Sequence, residues 1–367
     1  MSGGKTALII DSTLRDGLQT PGVELALSDR LKIAEAIAMA GVNEIEAGIP
    51  AASELDSKAV TAICSMGLPC RISAWCRATR EDIDAAAKAK AQAVHISLPA
   101  SDILLDAFSK TRNWALEAVE ELLPYARNSS GYLSIGFQDA ARADYQFLLR
   151  ISKAAQSAGA QRLRFADSCG IWNPFNAFDL FRRLSEELPE MPLGIHSHND
   201  LGMATANALG AILGGASIAD TTVNGLGERT GNPPLAELAM ALDLQGVRTT
   251  IKTDRLLPLS KLVAKLAKRA IPADKPVVGA ASFLHHSGLH VRALLKNPMA
   301  YQPYLPSKIG RHEAFGVFIG PQSGRASVSY ALDKLGMPSS QDSIEKALND
   351  VKDKTAGSIS GRIFKHE

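Results

Sequence analysis

Along the first two thirds of this chain, short apolar or β-branched runs recur, each followed by a helical pattern, and no other feature restricts the fold so tightly. The runs lie at 7–14, 44–49, 70–75, 93–98, 132–137, 162–166, 193–198 and 218–224. Between them stand amphipathic segments such as 28–40, with Ser28 as a candidate N-cap and Gly41 closing it. Another, 79–90, has Thr79 and Asp82 in capping-box spacing, and 174–188 opens on a proline after the candidate N-cap Asn173. Eight strand–helix units in about 240 residues predict an α/β fold, a (β/α)8 TIM barrel with its active site at the C-terminal ends of the strands. The alternative is a doubly wound open sheet; eight repeats without a dinucleotide fingerprint favour closure.

After Pro234 the pattern changes. Residues 235–244 and 255–270 read as helices, 272–311 as loop broken by Pro272, Pro276, Gly279 and Gly288, and 326–354 as helix again, with a tail. The expectation is a barrel over 1–250 and a C-terminal, mostly helical extension over 251–367. Charge divides the same way: 22 basic and 29 acidic residues before position 251, 18 and 9 after it. A basic appendage either holds an anionic substrate or packs on the acidic body, and its patches lack the density of a nucleic-acid arm. No apolar run approaches the roughly 18 residues of a membrane span, and the first residues enter a strand without a signal-peptide pattern. The cysteines at 64, 70, 76 and 169 lack metal-ligand spacing. Reduced thiols, a cytoplasmic location and no membrane partner are therefore expected.

The strand ends carry the chemistry. His196-Ser197-His198-Asn199-Asp200 closes the seventh run, and alternation along a strand puts His196 and His198 on one face. Two readings stand: a polar turn with hydrogen-bonded histidines, or two imidazoles aimed at a divalent metal. The first run ends in Arg15-Asp16, either an ion pair closing the rim or part of that site. Asp16 with His196 and His198 gives a carboxylate and two imidazoles, a set that suits Mn2+, Mg2+, Co2+ or Zn2+ and leaves coordination positions open. The loop Asn224–Asn232 is a phosphate cradle or, through the Asn232 carbonyl, a further ligand to the metal. No lysine falls at a strand end, which argues against a Schiff base, and no Ser or Cys sits beside a plausible base. What survives is metal-assisted chemistry, with a divalent ion chelating a 2-oxo acid and polarising its carbonyl.

At this point the chain resembles a known family, the metal-dependent acyl-CoA condensing enzymes and lyases that include isopropylmalate, citramalate and homocitrate synthases and hydroxymethylglutaryl-CoA lyase. Five motifs in order carry the resemblance: DSTLRDGLQ, IEAGIP, HSHNDLG, TVNGLGERTGN and FLHHSGLHVRALLKNPMAY. The stretches 74–77, 97–102 and RLRFADSCG at 162–170 are similar to the nitrogen-fixation branch of homocitrate synthases. The resemblance implies a Claisen condensation of acetyl-CoA, as co-substrate, with a 2-oxo acid, 2-oxoglutarate first among them, giving homocitrate. It implies that Asp16, His196 and His198 hold the metal with Asn232 close by, that Arg15 stabilises charge on the ketone oxygen, and that Glu46 orients this group. Ser168 stands where relatives have a threonine contacting the 2-oxo acid carboxylate. His290 and Tyr301 match a pair that reaches into the barrel of a partner subunit, which implies a homodimer. For a distal carboxylate the cation is Arg77 or Arg164, with Arg77 preferred because Arg164 alternates with Ala166 and not with Asp167.

The sequence departs from the family's pattern in places. Gln138 replaces a glutamate, and an amide cannot accept a proton. Leu18 and His286 each replace a glutamate, and Gly320-Pro321-Gln322-Ser323-Gly324 replaces a Gly-Lys-His-Ser-Gly run. These leave open the same mechanism with another 2-oxo acid (isopropylmalate-, citramalate- or phosphonomethylmalate-synthase-like), or a catalytically weakened paralogue.

Overall fold

Eight parallel strands close on themselves in the computed structural model, which describes residues 4–353 and 357–366. They are β1 (Leu8–Asp11), β2 (Glu44–Glu46), β3 (Arg71–Arg77), β4 (Ala93–Pro99), β5 (Leu133–Gln138), β6 (Arg162–Asp167), β7 (Leu193–Ser197) and β8 (Ile218–Thr221). The order runs 1 to 8, and β1 pairs with β8 through Leu8↔Ile218 and Ile10↔Asp220. This is the closed barrel and not the open sheet. Helices cover the outside, and their inner faces supply the apolar layer: Ile33 and Ile37, Val119 and Leu123, Phe147 and Ile151, Phe181 and Leu184 are all buried.

Helix ends follow their local chemistry. Ser53, Thr79, Ser101, Thr111 and Asp144 each accept a backbone N–H in the first turn, and Asn173 accepts two. Ser28 does not cap: the first helix spans Leu27–Met39 and follows Ala26, without a side-chain cap. Of the capping box at Thr79, only the threonine half forms, because Asp82 turns its carboxylate to Arg77.

The chain divides into two compact units, 1–252 with 259–270, and 253–258 with 271–367. In the second unit the stretch read as loop holds a helix, Gly288–Leu294, and the 326–354 segment is two helices, Arg325–Lys334 and Gln341–Lys352, parted at Gly336 with φ +67°. Its end at Lys354 lies outside the described residues. The tail is a strand. β9 (Leu284–His285), β10 (Phe315–Phe318) and β11 (Ile363–His366) form a small sheet in the order β11-β10-β9. Its core is apolar, built from Val291, Leu294, Phe315, Val317, Ile319 and Val328. His286 Nε2 accepts the Gln322 N–H at 3.3 Å, so two of the departures noted above are partners of one another.

Candidate active site

A cavity of about 310 Å³ opens at the C-terminal ends of the barrel strands, and charged and polar side chains line most of it. Asp16 sits just past β1; His196 and His198 lie on and just after β7. Asp16 Oδ2 is 3.0 Å from His196 Nε2 and 3.8 Å from His198 Nε2, and one ligand atom from each of the three lies within 4.8 Å of the others. All three are buried. Burial opposes charge on Asp16, but the Arg15 guanidinium and the His196 hydrogen bond outweigh it and hold the carboxyl well below the usual range. Burial, then the neighbouring His196, pushes His198 down to about 4, so that ring is neutral and ready to ligate.

The residues fit a divalent cation. Asn232 is buried against the same carboxylate: a β-carbon at Gly227 would lie 2.2 Å from Asn232 Nδ2 and 3.2 Å from Asp16 Oδ1. Its Nδ2 donates to the Leu226 carbonyl, while its Oδ1 is buried without a partner among the described residues, as a carbonyl ligand would be. The loop Asn224–Asn232 is poorly placed to cradle phosphate, because the Gly227 N–H is taken by Thr20 Oγ1 and the Glu228 N–H by Asp16 Oδ1. Behind the histidine, Asp220 Oδ2 lies 2.9 Å from His196 Nδ1, the carboxylate–imidazole pairing that orients metal-ligating histidines.

Glu46 is the hub of the cation side. Its Oε2 accepts from Ser12 Oγ at 2.7 Å and Arg15 Nε at 2.5 Å, and its Oε1 from Arg164 Nη1 at 2.8 Å. Arg15 is thereby fixed between Glu46 and Asp16, with its guanidinium 5.7 Å from the Trp75 ring. Ser168 lines the cavity; its Oγ accepts the Asp139 N–H at 2.9 Å, which leaves its own proton free to donate. Gln138 also lines it, donating to Ser97 Oγ at 3.0 Å.

Of the two arginines expected to meet a distal carboxylate, Arg77 is turned away. It is the last residue of β3, and the buried Asp82 draws the guanidinium outward at 2.8–3.0 Å, leaving the side chain 63% exposed. Arg164 lines the cavity, because the face it shares with Ala166 is the barrel interior. His290 and Tyr301 come together in the second unit, their rings stacked at 3.9 Å.

Asp220 and His95 escaped the sequence reading, and Trp75 and Ser97 entered it only within the stretches 74–77 and 97–102, without a role in the site. The signal was present: a polar residue inside an apolar strand run faces somewhere costly, and His95 and Ser97, two apart on β4, share one face.

Comparison with known proteins agrees. Residues 7–263 match the HMGL-like family and 277–357 the homocitrate synthase post-HMGL domain-like family. Homocitrate synthase 1 of Nostoc sp. is 39% identical over 94% of this chain and 91% of its own length. A putative (R)-citramalate synthase of Archaeoglobus fulgidus is 40% identical over 94% of this chain and 71% of its own. Hydroxymethylglutaryl-CoA lyase of Pseudomonas aeruginosa shares the fold, with a TM-score of 0.67 at 18% identity over 81% of this chain and 99% of that one. Barrel, site and kinship lead to one statement: this chain belongs to the HMGL-like family, as an acyltransferase of the homocitrate- and citramalate-synthase type.

Proposed function

We propose that this enzyme condenses acetyl-CoA with 2-oxoglutarate to give homocitrate. The observation that carries the reading is the convergence of Asp16, His196 and His198 with Arg15 over one cavity. A divalent cation held by those three, with Asn232 beside them, supplies Lewis acidity toward the ketone and carboxylate of the 2-oxo acid. Arg15, held in place by Glu46, stabilises the negative charge that develops on the ketone oxygen as the new carbon–carbon bond forms. The Ser168 hydroxyl donates to the substrate's 1-carboxylate. A base takes the methyl proton of acetyl-CoA, the resulting enolate attacks the ketone carbon, the ketone oxygen takes up a proton to become the product's hydroxyl, and water then cleaves the thioester to the carboxylate and the CoA thiol.

Gln138 has no proton-accepting group, so proton transfer falls to the stacked His290 and Tyr301, supplied by a second copy in a homodimer. Arg164 supports the dicarboxylic substrate: it lines the cavity, and its Nη2 has no hydrogen-bond partner among the described residues.

The test is thiol release from acetyl-CoA in Mn2+ or Mg2+ with 2-oxoglutarate, pyruvate, 2-oxoisovalerate and phosphonopyruvate. Release dominated by 2-oxoglutarate and abolished by a chelator is expected. Release led by another acid overturns the substrate, and release that survives chelation overturns the site. Silence across the panel, rescued by Gln138→Glu, identifies a weakened paralogue.

A further inference from the structure

We propose that His95 reads the tail of the 2-oxo acid, donating a hydrogen bond from Nε2 to an oxygen acceptor at the end of that tail. The inference rests on the condensation reading and deepens it. His95 is a buried β4 residue that lines the same cavity as Arg164, Ser97 and Gln138. Its neighbours accommodate a ring protonated on Nε2. Arg162 Nε can only donate, and it donates to Ser134 Oγ at 2.8 Å. The Ser134 hydroxyl keeps a proton to give to His95 Nδ1, also 2.8 Å away, and in that arrangement the ring proton sits on Nε2, the tautomer the proposal uses.

Gly136 gives this ring its seat. A β-carbon there would lie 2.5 Å from His95 Nε2 and 2.6 Å from Cε1, closer than side-chain carbons come. Burial, then the charge of Arg164, holds His95 well below the ordinary histidine range, so the ring offers a donor without a positive charge. With Arg164 Nη2, this end of the cavity presents N–H groups to an acceptor; a methyl or isopropyl tail would leave those donors unpaired.

The experiment uses the full-length Mn2+-loaded enzyme and measures thiol release, and calorimetric binding, for 2-oxoglutarate and for pyruvate, which has no polar tail. His95→Leu is expected to raise the KM and Kd of 2-oxoglutarate at least about tenfold while those of pyruvate move less than about twofold. His95→Gln, which keeps a donor, recovers most of the loss; Gly136→Ala, which crowds the ring, reproduces it. An equal loss for both acids, or unchanged 2-oxoglutarate binding in His95→Leu, overturns the proposal. Failure of the condensation reading shows separately, as a wild type that binds the acid but releases no thiol; the binding constants then still decide the role of His95. A wild type that binds no dicarboxylic 2-oxo acid overturns both.

Discussion

The inside of the barrel and the core of the C-terminal unit solve the problem of a buried interior in opposite ways. In the C-terminal unit the interior is hydrocarbon: Val291, Leu294, Phe315, Val317, Ile319 and Val328 are almost wholly buried. Inside the barrel, strand after strand turns a charge inward. Arg162 grips Glu44 with two bonds of 2.9 Å, Arg164 bridges Glu46 and Asp220, and Arg15 meets Glu46 and Asp16. The difference teaches what each interior is for. Apolar packing stabilises without fixing any one atom, whereas paired ions tolerate little displacement and so hold the site's groups in place.

The largest effects are expected where this lattice meets the metal position. Asp16→Ala or His196→Ala should lower turnover by about a thousandfold or more while circular dichroism still reports the folded barrel, with a lower melting transition because each change leaves buried charged neighbours without a partner. Near-normal turnover in either variant breaks the assignment of those side chains.

Next comes the lattice itself. Arg162→Met leaves buried Glu44 with only the longer ion pair to half-exposed Arg71, at 3.3 Å, and should cost roughly 3–5 kcal/mol in denaturant unfolding. Replacing both partners, Glu44→Leu with Arg162→Met, should recover most of that loss. A single variant as stable as wild type would show that this pair is solvated and not locked.

Much of this was legible in advance. The eight strand–helix repeats gave the barrel, and the motifs at its strand ends named Asp16, His196 and His198, which the structure brings together as a group that could hold a metal ion. Arg77 was misjudged because Asp82, five residues on in the following helix, is buried and draws the guanidinium to itself, and the spacing alone does not say which side chain that carboxylate will claim. The ion lattice was missed although Glu44 and Glu46, and Arg162 and Arg164, each stand two apart on one strand. Such a pattern ordinarily marks a solvated face, and only closure of the sheet turns it inward. The β11 strand was missed because its pairing with β10 spans about 50 residues of chain.

Asp11 is a buried acid with one oxygen, Oδ2, unpartnered among the described residues. Desolvation raises its pKa from 3.8 to about 7. A raised acid favours folding at low pH: the protein loses stability as pH climbs from about 4 to about 7, and the loss is complete above that. Asp11→Asn keeps an acceptor for the Thr13 N–H but cannot ionise. It should match wild type near pH 4 and exceed it by about 2–4 kcal/mol at pH 8, the gap opening between those values. A gap that is constant with pH would mean that Asp11 is not the titrating group.

The smallest effect belongs to the other interior. Ile319 is fully buried among its apolar neighbours, and Ile319→Val removes one methylene without stranding a charge or a hydrogen bond. Its expected cost is about 1 kcal/mol, read as a lower denaturant midpoint at unchanged slope. Deleting a methylene removes contacts in proportion to its size, so this core should degrade by increments, while loss of one ion partner inside the barrel carries the whole desolvation penalty of the other. If Ile319→Val proves as costly as Arg162→Met, the two interiors are not different in kind, and the rigidity assigned to the ion lattice has to be sought in the surrounding helices.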